Sequence, residues 1–194
     1  AEIILFIPQN NLDVSIHPTE GGGGGLLGVL IAAGIDSARR SYAEKKAAPI
    51  IEQLQHYDFR AEMLKALSAE IEKINNIKFK ISINLETVYS ESQKTISFDK
   101  SDRNAVIFTT VAYRLQSGNL IVTSDSEMYP KSTSLYKFRS KPNDTNPIDA
   151  GNCIYRKTFK FTKQATTAEN IKNSLAEGAA SIAKQLVQDL NHPL

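Results

Sequence analysis

Ile3 to Ile7 is an unbroken apolar run rich in β-branched residues, the pattern of a strand covered on both faces, and Pro8 with Asn10-Asn11 closes it. A second, short strand is expected around residues 12–16. After a glycine run, residues 26–35 are apolar almost all round and residues 36–46 are charged. This predicts a helix whose first turns are docked and whose later turns face water, with a kink or restart at Pro49. Asp58 is placed to cap a further helix, in which Phe59, Met63, Leu67, Ile71 and Ile74 recur on one face.

From Ile77 the period changes to two. Ile77, Phe79, Ile81, Ile83 and Leu85 alternate with polar residues, as in a strand with one dry and one wet face. Asp99 and Asp102, ahead of the next strand, are read as lying in a loop. Residues 105–115 and 120–129 form two strands, joined by Gln116-Ser117-Gly118-Asn119, whose glycine suits a short hairpin loop. Residues 130–152, with three prolines and many Ser, Thr and Asn residues, read as a long connection. Residues 153–163 form another strand, with Tyr155, Phe159 and Phe161 on one face and Arg156, Thr158, Lys160 and Thr162 on the other. A final amphipathic helix opens on a capping-box pattern, Thr166-Thr167-Ala168-Glu169, and carries the stripe Ile171, Leu175, Ala179, Ile182, Leu186 and Leu190. The expected fold is one α+β domain over residues 1–194: a mainly antiparallel sheet, helices packed on one face, a C-terminal amphipathic helix, a glycine-rich loop at 19–28 and a long connection at 130–152.

With 194 residues the chain can bury a core without staples, and its one cysteine, Cys153, excludes an internal disulfide and any multi-cysteine metal site. The net charge of +2 argues against a surface that is basic throughout. Between Asp36 and Lys73 seven basic and seven acidic side chains are interspersed, which is the composition of a solvated helix surface. Residues 131–163 differ. They hold eight basic residues, among them Lys137, Arg139, Arg156, Lys157 and Lys160, against Asp144 and Asp149. Interleaved with Tyr136, Phe138 and Tyr155, these cations suit an anionic ligand, lipid headgroups or, as the least favoured case, nucleic acid. The plainer reading is an edge strand kept soluble by lysine.

The five glycines at 21–25 satisfy Gly23-x-Gly25-x-x-Gly28 formally, but about a dozen mostly polar residues separate them from Ile7, no parallel βαβ partner follows, and no Lys-Ser or Lys-Thr follows the loop. A nucleotide cradle is therefore disfavoured. The glycines leave the backbone open to close packing, and Gly23, Gly24, Gly25, Leu26, Leu27 and Leu30 form a candidate interaction surface on about 15 Å of apolar helix. His17, His56 and His192 have no metal-ligand spacing, and no nucleophile motif occurs. Asp125 and Glu127, with Thr123, share a strand face and could act as a carboxylate pair, but such groups are ordinarily solvated. No catalytic, cofactor-binding or metal-binding residue is assigned, and no enzyme activity or cofactor is expected.

The succession of N-terminal strand, glycine loop, Leu26-Leu27-Gly28-Val29-Leu30-Ile31-Ala32-Ala33-Gly34-Ile35-Asp36 and charged helix resembles small envelope lipoproteins of Gram-negative bacteria. The alternating strand 105–115 with its hairpin mate and the closing helix around Ile182 to Leu190 fit the same layout. The order of elements is also similar to the TolB N-terminal domain and the curli-secretion lipoprotein. The resemblance implies a periplasmic domain, anchored by a lipid upstream of Ala1, that binds an envelope protein or a second copy of itself, with peripheral membrane contact as a further option.

Overall fold

The computed structural model describes residues 1–7, 13–14, 48–49, 52–54, 57–73, 80–84, 90–116, 118–140 and 146–191. Six strands form one mixed sheet: β1 (Glu2–Phe6), β2 (Asp13–Val14), β3 (Lys80–Asn84), β4 (Ala105–Gln116), β5 (Asn119–Pro130) and β6 (Tyr155–Gln164). The order across the sheet is β3-β1-β4-β5-β6, with β2 pairing β4 beyond the end of β1. The helices are α1 (Phe59–Ile71), α2 (Glu91–Lys100) and α3 (Ala168–Leu190). The fold is α+β, and most paired positions are antiparallel because β4, β5 and β6 form a long meander.

β1 sits between β3 and β4 and runs parallel to both. All five of its residues are buried, as the unbroken apolar run requires of a central strand. Parallel neighbours cannot be joined by a hairpin, so each link must cross over the sheet. The first crossover, from β1 to β3, contains α1, and the second, from β3 to β4, contains α2. Ile3, Leu5, Ile107, Val111, Leu120 and Val122 pack with Phe59, Met63 and Leu67 of α1 and with the Ile171, Leu175, Ala179, Ile182 and Leu186 stripe of α3. This is the helical layer the periodicity predicts. The opposite face holds a smaller core of its own, in which Ile4, Val106, Phe108 and Tyr129 meet Phe98 of α2 and Ile148.

Local chemistry explains most element ends. Asp58 accepts from the Ala61 amide at 3.0 Å and starts α1. Asp99, expected in a loop, lies instead in α2, and Asp102 follows just beyond its end. Its start is a complete capping box: the Gln93 amide donates to Ser90 Oγ, and the Ser90 amide donates to the Gln93 side chain. α3 begins one residue later than expected, because Thr167 rather than Thr166 accepts from a backbone amide, that of Asn170 at 3.2 Å. Between β4 and β5, Gly118 supplies the positive φ of 73° that the reversal demands. β6 starts two residues after the expected Cys153, whose Sγ donates to the Tyr155 carbonyl. The connection at 130–152 contains two 3-10 turns, Thr133–Phe138 and Ala150–Asn152. They are linked where the Ser140 amide and Oγ both donate to the Gly151 carbonyl. The glycine loop at 19–28, the helix expected from residue 26, Ile74 and residues 77–79 lie outside the described residues.

α3 approaches the sheet at Gly178, where a Cβ would stand 2.8 Å from Val122 Cγ2 and 3.0 Å from Phe161 Cδ1. Alanine is the better helix former by about 1 kcal/mol, but overpacking a stiff valine and a ring costs about 1–3 kcal/mol. Gly178→Ala is therefore expected to lower stability by about 1 kcal/mol net. The readout is the urea midpoint, and an unchanged or higher midpoint would show that the contact relaxes freely.

Candidate functional site

β6 ends the sheet. Its ten residues pair with β5 without a break, from Asn119 opposite Gln164 to Met128 opposite Tyr155, and seven of them are exposed. Among the described residues nothing pairs with its outer side. Alternation places Tyr155, Lys157, Phe159, Phe161 and Lys163 toward the α3 face and Arg156, Thr158, Lys160 and Thr162 toward the other. Phe159 and Phe161 are half-buried against the main core.

The register puts Glu127 of β5 directly opposite Arg156, and the two form an ion pair at 2.9 Å. The second carboxylate oxygen of Glu127 receives Lys94 of α2 at 2.9 Å and the Tyr129 hydroxyl at 3.2 Å. One carboxylate thus joins a helix and two strands. Burial alone would raise the pKa of Glu127, but the hydrogen bond from Lys94, the charges of Lys94 and Arg156 and the Tyr129 hydroxyl outweigh it and hold the group below the ordinary carboxylate value. Glu127 in turn keeps Arg156 protonated, while burial and the nearby Glu127 charge push Tyr129 up. Asp125, on the same face as expected, accepts from Thr158 Oγ1 at 2.6 Å. Both carboxylates are held in cross-strand links.

A further carboxylate, this one buried, lies on the same face. Glu2 accepts from Ser82 Oγ at 2.6 Å and from Ser101 Oγ, and meets Lys80 at 3.3 Å. Burial works to raise its pKa, and the two serines and Lys80 more than offset it. Lys131, at the end of β5, donates to the carbonyls of Phe98, Asp99 and Ser101 and so closes the C-terminus of α2, where a cation is favoured.

The basic residues anticipated in 131–163 lie in the connection after β5 and along the whole length of β6, with distinct engagements. Arg139 stacks on Tyr136 at 3.3 Å, and Lys137 lies over the Phe138 ring at 5.0 Å. Arg156 is held by Glu127, and Lys163 meets Glu177 at 2.6 Å. Lys157 and Lys160 are exposed and form no ion pair among the described residues. Lys94, which completes the Glu127 network, was not singled out in the sequence. The Ser90-x-x-Gln93 capping box was the signal that could have placed it on a helix. Gly23, Gly24, Gly25, Leu26, Leu27 and Leu30 lie outside the described residues, as do His17, His56 and His192. Among the described residues there is no group of three or more His, Cys, Asp or Glu side chains able to hold a metal ion. No helix among them is long and apolar enough to cross a membrane.

The chain matches no family model and no curated protein. Solved structures give distant likenesses. One, described only as an uncharacterised protein, is 9% identical with a TM-score of 0.39, and the match covers 69% of this chain and 64% of that one. Another, a protein from Xanthomonas campestris of the DUF330 family, is 9% identical with a TM-score of 0.37, and the match covers 97% of this chain and 87% of that one.

Because the folded-state pKa of Glu127 is lowered, its contribution to stability is complete above the unfolded value, near 4.5, and is lost as pH falls through the folded value. Glu127→Gln removes the charge that Lys94 and Arg156 face in this network and is expected to cost about 1–2 kcal/mol at neutral pH. The gap to the native protein should close below pH about 4.5. Paired denaturant titrations across pH read it directly, and a gap independent of pH would remove the electrostatic account.

Proposed function

We propose that this chain is a non-enzymatic domain of the Gram-negative cell envelope, periplasmic and held near a membrane by a lipid, whose work is to make protein–protein contacts. The observation that carries the binding role is the long open edge of β6, with lysines unpaired among the described residues on both of its faces. The state of the buried carboxylates supports the same reading. A catalytic acid or base needs a pKa raised toward neutrality and room to meet a substrate. Glu2 and Glu127 are instead held low and bound to neighbouring elements. The compartment rests on the layout shared with envelope lipoproteins. The segment Gly23 to Leu30 is a second contact surface in this proposal.

A second reading uses the same basic residues to hold an anionic ligand, and the exposure of Lys157 and Lys160 is what favours it. The two differ in salt response. Retention on an anionic matrix that falls steeply with salt and is lost when Lys157 and Lys160 are neutralised fits ligand binding. Salt-insensitive association abolished by Leu27→Asp fits the protein contact.

In its native cells the protein is expected to fractionate with the envelope and, with a photo-reactive residue at Thr158, to give a discrete protein adduct that the same probe at Ile96 on α2 does not give. Recovery in the cytosol would overturn the envelope reading, and loss of every adduct would overturn the assembly role.

A further inference from the structure

The outer edge of β6 presents the backbone donors and acceptors of alternate residues to solvent, and such an edge is a template for another strand. Proteins ordinarily blunt edges by shortness, proline, a bulge or charge. β6 is ten residues long, contains no proline, and keeps continuous register with β5 over its whole length, so no bulge twists it away. Charge is the one device it carries. Lysine at an edge repels a second copy of the same strand, because pairing β6 with itself would bring Arg156, Lys157, Lys160 and Lys163 of both copies together with no acidic residue in either strand. The same charge selects an acidic strand.

The pattern of free cations is more specific than a basic patch. Arg156 is occupied by Glu127 and Lys163 by Glu177, which among the described residues leaves Lys157 on the α3 face and Lys160 on the opposite face. A polyanion lying across either face of the sheet meets one of these two. A strand added along the edge projects its own side chains alternately to both faces and meets both at once. From this geometry we infer that β6 accepts an extended acidic segment of a partner protein as the next strand of the sheet, with two carboxylates three residues apart opposite Lys157 and Lys160. Three is the spacing in the pair itself, and it is odd, so the carboxylates fall on opposite faces. Half-buried Phe159 and Phe161 offer apolar contact to the strand's residues on the α3 face.

This inference rests on the protein-contact reading above and names the partner chemistry for it. The test uses the full chain and capped peptides of the same length as β6, built from threonine and valine with two glutamates. Spaced three apart, the glutamate peptide is expected to bind in fluorescence anisotropy, and to slow hydrogen exchange at alternate amides of β6. Spaced two apart, both glutamates share one face and binding should be about threefold weaker. Lys157→Glu with Lys160→Glu, at exposed positions, should weaken the first peptide about tenfold and favour a peptide with lysines in place of glutamates. Indifference to spacing, equal binding of the lysine peptide, tighter binding of a single-stranded oligonucleotide, or binding without new protection along β6 would each overturn it. Envelope fractionation and adducts through other surfaces, with no peptide binding, would sink this inference and leave the proposed function standing. Peptide binding by a protein recovered from the cytosol would do the reverse.

Discussion

The constraint on which the architecture depends is the burial of β1 on both faces. A strand reading Glu-Ile-Ile-Leu-Phe cannot lie at an edge or under a single layer without exposing Ile4 or Leu5, each of which contributes about 1.5–3 kcal/mol when fully buried. It is therefore central. Its neighbours β3 and β4 run parallel to it, so the two crossovers carry helices, one to each face. The two cores of the molecule, a large one under α1 and α3 and a small one under α2, are consequences of that one strand.

Polar links secure the smaller core, where apolar area is limited. Glu2 ties β1 to β3 and to the residue that ends α2, Lys131 gathers the carbonyls at the same helix end, and Glu127 ties α2 to β5 and β6. Both carboxylates are partly or wholly removed from water, and both stay ionised because hydrogen bonds and cations outweigh the cost of burial. The meander from β4 to β6 carries the sheet outward from this braced centre, and β6 is left as a long, regular boundary with charge as its defence. The binding role proposed for the domain belongs at that boundary.

Much of this architecture was legible in the chain. The apolar run at 3–7 determined a central strand, the alternation at 105–115 and 120–129 with Gly118 determined the hairpin, and the stripe from Ile171 to Leu190 determined the closing helix, because period and burial are linked by local geometry. Asp58 and its stripe determined α1 in the same way. α2 escaped because ten residues with Phe98 as their single buried position offer no stripe, and only the capping box at Ser90 marks the start. Of the candidate site, the strand alternation assigned Lys160 to the face away from Tyr155, composition alone singled out 131–163 as basic, and the face of Lys157 came with the register to β5.

Tertiary structure alone decided which of those cations are occupied and which remain available. Arg156 meets Glu127, Lys163 meets Glu177 and Lys131 caps α2 through contacts between residues 14 to 33 positions apart, set by register and helix docking. It also decided that β1 pairs in parallel on both sides, and that β6 lies outermost. Local sequence encodes the period and the cap of each element, since these depend on neighbours within a few residues. The order of strands and the pairing of charges depend on which surfaces the whole chain must hide from water at once.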